Sequence, residues 1–167
     1  SNLVTTSSVF ETMLIGDTYK IDENKIKKII PGIDKKIFIP DSSIEKENII
    51  LSIGRIQKQK GQIQTLEFLN NFKKIEKDFK CYFIGGPSGK NGNEYLNELK
   101  QSVEEFNLNT HVEFLDNLPQ TEIIDLFKKA KLMIHTSQFE TFGLVAIEAN
   151  AMGVPVLTTN NGSLMEI

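Results

Sequence analysis

The chain has 167 residues, of which 40% are hydrophobic and 25% are charged, and it carries a net charge of −3 at pH 7. This length suffices for one globular domain with its own core, and the slightly acidic balance argues against general binding to nucleic acid. No apolar run reaches the roughly 20 residues that a transmembrane helix needs, and the first residues lack the order of a secretory signal. We therefore expect a cytoplasmic protein, although a longer protein that contains this chain can still contact a membrane peripherally. The single cysteine excludes an internal disulfide.

The N-terminal stretch differs in pattern from the rest of the chain. Residues 3–7 suit a strand and residues 8–16 a helix, after which a polar run leads to the turn Pro31-Gly32. We interpret residues 1–26 as the end of a preceding N-terminal domain and an interdomain connection, and residues 27–167 as a second domain. Because the chain stops directly after a loop that should lead into another helix, we expect it to be part of a larger protein.

From residue 48 onwards, short apolar runs rich in β-branched residues alternate with amphipathic segments. The runs predict five strands, at residues 48–53, 79–84, 111–115, 132–136 and 154–158. Helical spacing appears in three segments, Ile63 to Ile75, Tyr95 to Phe106, and Ile123 to Phe127 with Pro119 at the first helical position. A fourth helix at 143–152 is apolar almost all round and should be buried, and Gly153 marks its end. This alternation predicts an α/β fold, a Rossmann-like parallel sheet with helices on both faces.

The loops that leave the predicted strands hold the unusual residues, and in a parallel sheet these loops emerge on one edge, where ligands bind. Loop 54–61 contains Arg55, the only arginine among 19 basic residues. The planar guanidinium binds two phosphate oxygens at once, which lysine does not copy, and Lys60 adds a second positive charge. The loop therefore indicates either a phosphate site or a solvated turn ended by Gly61, and by itself it favours neither.

The glycine-rich loop 85–92 lacks the spacing of a P-loop. Ile84 stands where the first glycine would fall, and Asn91 follows Lys90 in place of serine or threonine. The dinucleotide fingerprint G-x-G-x-x-G is absent from the chain as well. We interpret this loop as a flexible edge of a pocket.

The segment from Glu140 to Glu148 carries the most specific pattern. Gly143 lets the chain turn into a helix, and the free amides near Phe142, Gly143 and Leu144 give the partial positive charge that holds an anion. Glu148 lies about one turn further along in an otherwise apolar helix, where a buried carboxylate costs on the order of several kcal/mol unless it is paired. Either ribose hydroxyls or a salt bridge to a neighbouring lysine would satisfy it.

Four parts of the sequence together resemble the C-terminal half of glycosyltransferase family 4, the retaining nucleotide-sugar enzymes with a GT-B fold. These parts are the turn Pro31-Gly32-Ile33-Asp34 followed by Phe38, Gly54-Arg55 with Lys60-Gly61 as in the family's G-R-x4-K-G, the E-x7-E motif from Glu140 to Glu148, and the closing segment 162–167. The resemblance covers residues 27–167. One departure is Gly162-Ser163-Leu164-Met165-Glu166 in place of the common G-G-x-P-E, so the loop on the sugar side is expected to have a different shape.

The resemblance implies how the donor diphosphate is held. Arg55 and Lys60 bind it, with the backbone amides of Phe142, Gly143 and Leu144 helping. These cationic groups stabilise the departing diphosphate, so neither an essential metal nor another cofactor is expected.

The resemblance also implies roles for the two glutamates. Glu140 takes the donor sugar and Glu148 the ribose hydroxyls, with the base near residues 111–117. Arg55, Lys60 and Glu140 are thus the predicted catalytic residues. The donor is expected to be a UDP-, GDP- or ADP-sugar, transferred with retention of configuration. The acceptor, a sugar, a lipid-linked or another molecule, is expected to bind an N-terminal domain outside this chain, so that the isolated chain is inactive.

Two other functions fit part of the pattern. A catalytically silent GT-B-like subunit that regulates or anchors a partner enzyme would keep the fold. However, the presence of Arg55, Lys60 and the two glutamates argues against a loss of the catalytic residues. The dinucleotide-binding domain of a dehydrogenase fits the alternation of strands and helices but lacks the glycine fingerprint.

Three isolated residues receive structural interpretations. Cys81 lies inside a predicted strand and should be a buried apolar residue. His135 is interpreted as a hydrogen-bonded strand histidine rather than as a base or a metal ligand. His111 has no second histidine at a metal-binding spacing, and no metal site is predicted.

Overall fold

The computed structural model describes residues 3–167, so residues 1 and 2 of the predicted N-terminal segment lie outside the described part. The strands are β1 (Val4–Thr6), β2 (Ile26–Lys28), β3 (Ile49–Ile53), β4 (Lys80–Ile84), β5 (Val112–Leu115), β6 (Leu132–His135) and β7 (Val156–Thr158). The α-helices are α1 (Val9–Tyr19), α2 (Gln62–Phe72), α3 (Gly92–Glu105), α4 (Gln120–Lys129) and α5 (Leu144–Ala151). Short 3-10 helices span Glu23–Lys25, Lys58–Lys60 and Gly162–Glu166.

The central sheet has five strands in the order β5-β4-β3-β6-β7, and all neighbouring pairs are parallel. The chain adds β4 and β5 on one side of β3 and then returns to the other side of β3 for β6 and β7. The carboxyl ends of β3 and β6 therefore flank a topological switch point. All five strands predicted for this sheet are present, and β7 begins only after Pro155, which has no backbone N–H to donate to a ladder.

Two hydrophobic clusters, one on each face of the sheet, form the core. Successive residues of a strand point to opposite faces, so Ile50 packs in the cluster that contains Leu66 of α2, whereas Leu51 packs in the cluster that contains Phe127 of α4. All four side chains are buried. The predicted α/β sheet with helices on both faces is thus confirmed.

Two helices differ from the sequence-based expectation. α2 ends at Phe72, and Ile75, which the spacing assigns to its apolar face, lies in the following turn with 87% of its surface exposed. α5 is not buried all round, because Ala146 and Ala149 are buried while Leu144 at its start is 44% exposed. The spacing of apolar residues does not predict the residue at which a helix ends, nor how much of a short helix the sheet covers.

Smaller features agree with the sequence or shift by one residue. Cys81 is fully buried in β4, as predicted, and burial raises the pKa of its thiol. Gly153 ends α5 with a φ of 70°, the left-handed conformation that glycine favours. Pro119, predicted as the first helical residue, is instead the N-cap of α4, which begins one position later at Gln120.

Residues 3–30 form a small unit beside the main sheet. β1 and β2 pair in parallel, and α1 packs against both strands and against the 3-10 helix at 162–166. The strand and the helix predicted here are present as β1 and α1, and α1 runs to Tyr19. β2 lies across the predicted domain boundary between residues 26 and 27, and that boundary stays a prediction.

Candidate functional site

At the switch point, the loop that follows β3 touches the loop that follows β6. A Cβ atom at Gly61 would collide with the carbonyl oxygen of Thr136. The hydroxyl of Thr136 in turn donates a hydrogen bond to the Gly61 carbonyl oxygen at 2.6 Å. The two loops are therefore held together by direct contact, and only glycine fits at position 61.

Three polar side chains form a cluster at this junction, which we call the Glu140 cluster: Lys60, His135 and Glu140. Lys60 Nζ lies 2.7 Å from Glu140 Oε2, and His135 Nε2 lies 3.1 Å from the same oxygen. The side chains of Lys60, Glu140 and His135 are 17%, 13% and 6% exposed. Within residues 3–167, the other carboxylate oxygen, Oε1, has no hydrogen-bond partner. The cluster thus leaves one acceptor atom for a ligand.

The cluster sets the charge of Glu140. Burial raises the pKa of its carboxyl group, but the hydrogen bonds from His135 and Lys60 and the positive charge of Lys60 together outweigh burial. The pKa therefore falls from the ordinary value of 4.5 to about 2. At neutral pH the Glu140 carboxylate is ionised and acts only as a hydrogen-bond acceptor.

The backbone around Lys60 determines where this side chain lies. Residues 58–60 form a 3-10 helix that Gly61 closes with a φ of 69°, a conformation that glycine adopts without steric cost. At the same loop, Gln62 Nε2 donates a hydrogen bond to the Arg55 carbonyl oxygen at 2.8 Å. Lys60 is therefore an ion-paired residue on a braced loop, and the alternative of a solvated turn does not describe it.

The backbone of Glu140 is anchored by the closing segment of the chain. The amide and the hydroxyl of Ser163 both donate to the Glu140 carbonyl oxygen, at 3.1 and 3.0 Å. Gly162 lies so close that a Cβ atom there would press on the same oxygen. Ser163, part of the segment that departs from the common family motif, thus contributes a side-chain bond to the Glu140 loop that a glycine lacks.

α5 begins directly after the Glu140 loop. Gly143 is its N-cap with a φ of 82°, and a Cβ atom there would lie 3.5 Å from Glu140 Cγ. Within the described residues, the amides of Phe142, Gly143 and Leu144 donate no hydrogen bond. Such amides and the helix dipole carry partial positive charge. Unpaired N–H donors therefore adjoin the Glu140 cluster.

Glu148 lies further along α5 and is partly buried. Burial raises the pKa of its carboxyl group. Its carboxylate forms no ion pair or hydrogen bond with residues 3–167. The salt bridge to a lysine is therefore wrong for this part of the chain, and the ribose alternative stays open.

Arg55 lies on the same edge but stands apart from the Glu140 cluster. Its side chain is exposed and makes no ion pair or hydrogen bond with the described residues. Its backbone nitrogen lies next to Gly85, where the loops after β3 and β4 meet. Of the predicted basic residues, the structure brings Lys60 to Glu140 and leaves Arg55 unpaired.

The loops after β4 and β5 also meet on this edge. The amide of Gly86 donates to Asn117 Oδ1 at 3.1 Å, and Ile56 and Pro87 form a parallel bridge. The start of loop 85–92 is therefore anchored on two sides. In the segment 111–117, His111 precedes β5 and lies at the opposite edge of the sheet, so only the end of this segment reaches the site.

The small N-terminal unit touches the site loops from the side. Glu166 accepts hydrogen bonds from the amides of Val9 and Phe10, at 3.0 and 2.9 Å. The rings of Phe10 and Phe139 meet edge to face, with centroids 5.6 Å apart. A cavity of about 330 Å³, lined in part by Ser7 and Phe142, lies between the unit and α5. α1 is thus docked on the segment that anchors Glu140.

His135 is the member of the cluster to which the sequence analysis assigns no functional role. It is a hydrogen-bonded strand histidine, as predicted, but its partner is the Glu140 carboxylate. The sequence feature that could have indicated a functional role is its position as the last residue of β6. A buried titratable side chain at the carboxyl end of a parallel strand lies next to the ligand-binding loops.

Residues 3–167 contain neither a candidate metal site nor a helix that could span a membrane. No group of three or more His, Cys, Asp and Glu side chains in this range is arranged to hold a metal ion. No helix in the same range has the length and apolar character to cross a membrane.

The α/β architecture of this chain is that of GT-B glycosyltransferases. Anabaena HepE, solved in complex with UDP-glucose, superposes with a TM-score of 0.87 at 22% identity, over 99% of this chain and 47% of that one. The C-terminal domain of a glycosyl transferase group 1 family protein (LpcC) from Francisella tularensis superposes with a TM-score of 0.70 at 26% identity, over 79% of this chain and 72% of that one.

The chain belongs to the family of glycosyl transferases group 1, whose sequence pattern matches residues 34–167. It is 27% identical to the D-inositol 3-phosphate glycosyltransferase of Acidothermus cellulolyticus, over 95% of this chain and 38% of that protein. The chain thus spans less than half the length of this relative. The family resemblance noted in the sequence is confirmed.

Proposed function

We propose that this chain is the donor-binding half of an enzyme that transfers a sugar from a nucleoside-diphosphate sugar to an acceptor, with retention of configuration. The observation that carries the proposal is that Lys60, Glu140 and the unpaired amides before α5 adjoin one another at the switch point. In this proposal residues 27–167 form the donor-binding domain, and the acceptor binds a part of the protein outside this chain.

The diphosphate of the donor binds at the start of α5. The amides of Phe142, Gly143 and Leu144 donate to its oxygens, and Lys60 and Arg55 supply positive charge. When the bond between the sugar and the diphosphate breaks, negative charge grows on the leaving phosphate, and preorganised donors stabilise that charge. In this proposal these groups act without a metal ion.

The two glutamates bind hydroxyl groups of the donor. Glu140 presents Oε1 to a hydroxyl of the sugar, because Oε2 already accepts from Lys60 and His135. Glu148 accepts hydrogen bonds from the ribose, which relieves the cost of an unpaired, partly buried carboxylate. The complex of Anabaena HepE with UDP-glucose suggests UDP-glucose as the first donor to test.

A thermal-shift panel with UDP, GDP, ADP and their glucose conjugates tests the proposal on this chain. A nucleotide that binds the folded state raises the melting temperature by mass action. Arg55→Lys and Arg55→Gln should remove most of the shift without lowering the melting temperature of the ligand-free chain, because the side chain is exposed and unpaired. Lys77→Gln is the matched control, because it removes one positive charge from the exposed segment that leads into β4. A wild-type chain that responds to none of the nucleotides contradicts the proposal.

The tests of retention and of sugar transfer use the full-length protein. NMR of the anomeric proton in the product distinguishes retention from inversion, and we expect retention. We expect the isolated chain to bind donor without transferring sugar. A full-length protein that binds donor but neither transfers nor hydrolyses it would instead be a silent GT-B-like subunit.

A further inference from the structure

Two hydrogen-bond donors share one oxygen of Glu140, and they come from different parts of the fold. Lys60 Nζ reaches Oε2 from the loop after β3, and His135 Nε2 reaches it from the end of β6. Under the proposed function, on which this inference rests, the Lys60 ammonium also binds the donor diphosphate. We propose that His135 is a positioning residue that holds the Glu140 carboxylate in place when Lys60 moves to the diphosphate of the nucleotide sugar.

The two donors differ in mobility. His135 is a strand residue that is 6% exposed, and its carbonyl oxygen accepts a hydrogen bond from Thr158 Oγ1 at 3.0 Å. Its backbone is therefore held by the sheet, and burial restricts the movement of its ring. Lys60 carries its ammonium on a flexible four-carbon stem, which can exchange one anionic partner for another. Only the lysine is built to follow the ligand.

The loss of Lys60 would leave Glu140 in an unfavourable state. The Glu140 side chain is 13% exposed, and removing one partner of a buried ion pair is strongly destabilising because the remaining charge is uncompensated. Among residues 3–167, Lys60 and His135 are the only side chains that bond to this carboxylate, while Ser163 bonds to the backbone carbonyl. His135 is thus the one donor that remains after the exchange.

The geometry also assigns an orientation. With both donors on Oε2, the other oxygen, Oε1, is turned away from them and has no partner among the described residues. If His135 keeps Oε2 after Lys60 has left, Oε1 keeps its direction. The sugar hydroxyl then meets an acceptor whose position does not depend on the diphosphate contact.

The first test compares two substitutions of similar chemistry and different reach. In His135→Gln, the amide nitrogen of glutamine corresponds in position to His135 Nε2. The asparagine side chain of His135→Asn is shorter, so that its amide nitrogen does not reach Glu140. We expect His135→Asn to weaken binding of UDP-glucose about tenfold more than binding of UDP, measured by calorimetry on this chain. His135→Gln should bind both ligands as the wild type does. The control is His111→Gln, which alters the only other histidine, located at the opposite edge of the sheet.

Equal losses for UDP and UDP-glucose in His135→Asn, or a His135→Gln variant that behaves like His135→Asn, overturn the inference. Either result shows that the histidine supports the fold and not the carboxylate. Absence of nucleotide binding by the wild type overturns the proposed function, and the ligand-dependent part of this inference with it.

The second test needs no ligand. Carboxyl 13C NMR of Glu140 follows its titration in the wild type, in Lys60→Ala and in Lys60→Ala/His135→Asn. We expect the pKa of Glu140 to rise at each step, because each substitution removes one donor. Identical titrations of Lys60→Ala and the double variant show that His135 does not hold the carboxylate, whatever the chain binds.

Discussion

Lys60 and Glu140 are 80 residues apart in the sequence, yet Lys60 Nζ lies 2.7 Å from Glu140 Oε2. They meet because β3 and β6 are neighbours in the sheet, so the loops that follow these strands share one edge. Both residues belong to motifs that are characteristic when seen separately. Their contact brings the basic loop and the E-x7-E segment together in one candidate site.

From this ion pair we predict how the free energy of unfolding changes at acidic pH. The pKa of Glu140 is about 2 in the folded chain against an ordinary value of 4.5, so the folded state binds fewer protons than the unfolded state in this interval. The stabilisation by Glu140 is therefore complete above pH 4.5 and is lost as the pH falls towards 2. Glu140→Gln should flatten the dependence of the free energy of unfolding on pH in this window, measured by urea denaturation.

Asp41 serves as the control for this prediction. Hydrogen bonds from Ser43 lower the pKa of its carboxyl group as well, but among the described residues Asp41 forms no hydrogen bond or ion pair with the Glu140 cluster. Asp41→Asn should change the acid slope less than Glu140→Gln does, because the Asp41 carboxylate is fully exposed to solvent. A Glu140→Gln variant with the full wild-type slope would show that the ion pair does not form in solution.

Glu148 is predicted to strengthen nucleotide binding and to lower the free energy of unfolding of the ligand-free chain. Burial raises the pKa of its carboxyl group, because the ionised form is less well solvated in the folded chain than in water. We expect Glu148→Gln to raise the free energy of unfolding at pH 7 by on the order of 0.5 kcal/mol and to weaken UDP binding about tenfold. Calorimetry with UDP and 2′-deoxy-UDP is the measurement. The wild type should prefer UDP, and the variant should distinguish the two ligands less, whereas an unchanged preference would remove Glu148 from the ribose site.

Gly61 is predicted to be essential for the junction between the two loops. Alanine there would strain a φ of 69° and collide with the Thr136 carbonyl oxygen. We expect Gly61→Ala to lower the free energy of unfolding by about 2 kcal/mol or more and to abolish nucleotide binding. Gly32→Ala, at an exposed position with no atom within 4 Å of the added Cβ, is the matched control and should change neither quantity. Normal stability of Gly61→Ala would mean that the loops separate readily.

Glu166 is predicted to hold α1 against the rest of the chain. Its carboxylate accepts from the amides of Val9 and Phe10 in the first turn of the helix, where negative charge is favourable. Glu166→Ala should lower the free energy of unfolding by about 1 kcal/mol and speed hydrogen exchange of these two amides. Glu45→Ala is the control, since Glu45 is exposed and far from α1 in sequence. Unchanged exchange at both amides would show that α1 docks without Glu166.

The sequence supports the fold prediction well because its evidence is local. The alternation of apolar runs and amphipathic segments predicts the strands and helices of the sheet, and Gly153 marks the end of α5 through its own backbone preference. The same local evidence fails at Ile75, because apolar spacing continues past the residue where the helix ends. It also overstates the burial of Leu144, which is the first residue of an apolar helix and is 44% exposed there.

The sequence alone determined the class of fold, the family and the two motifs of the site, since each depends on residue types at short spacing. Only the tertiary structure decided that Lys60 pairs with Glu140, that His135 shares the same oxygen and that Glu148 has no partner among the described residues. The reason is that such contacts depend on the order of strands in the sheet. Apolar runs indicate which segments contribute to the core, but they do not specify which strands become neighbours.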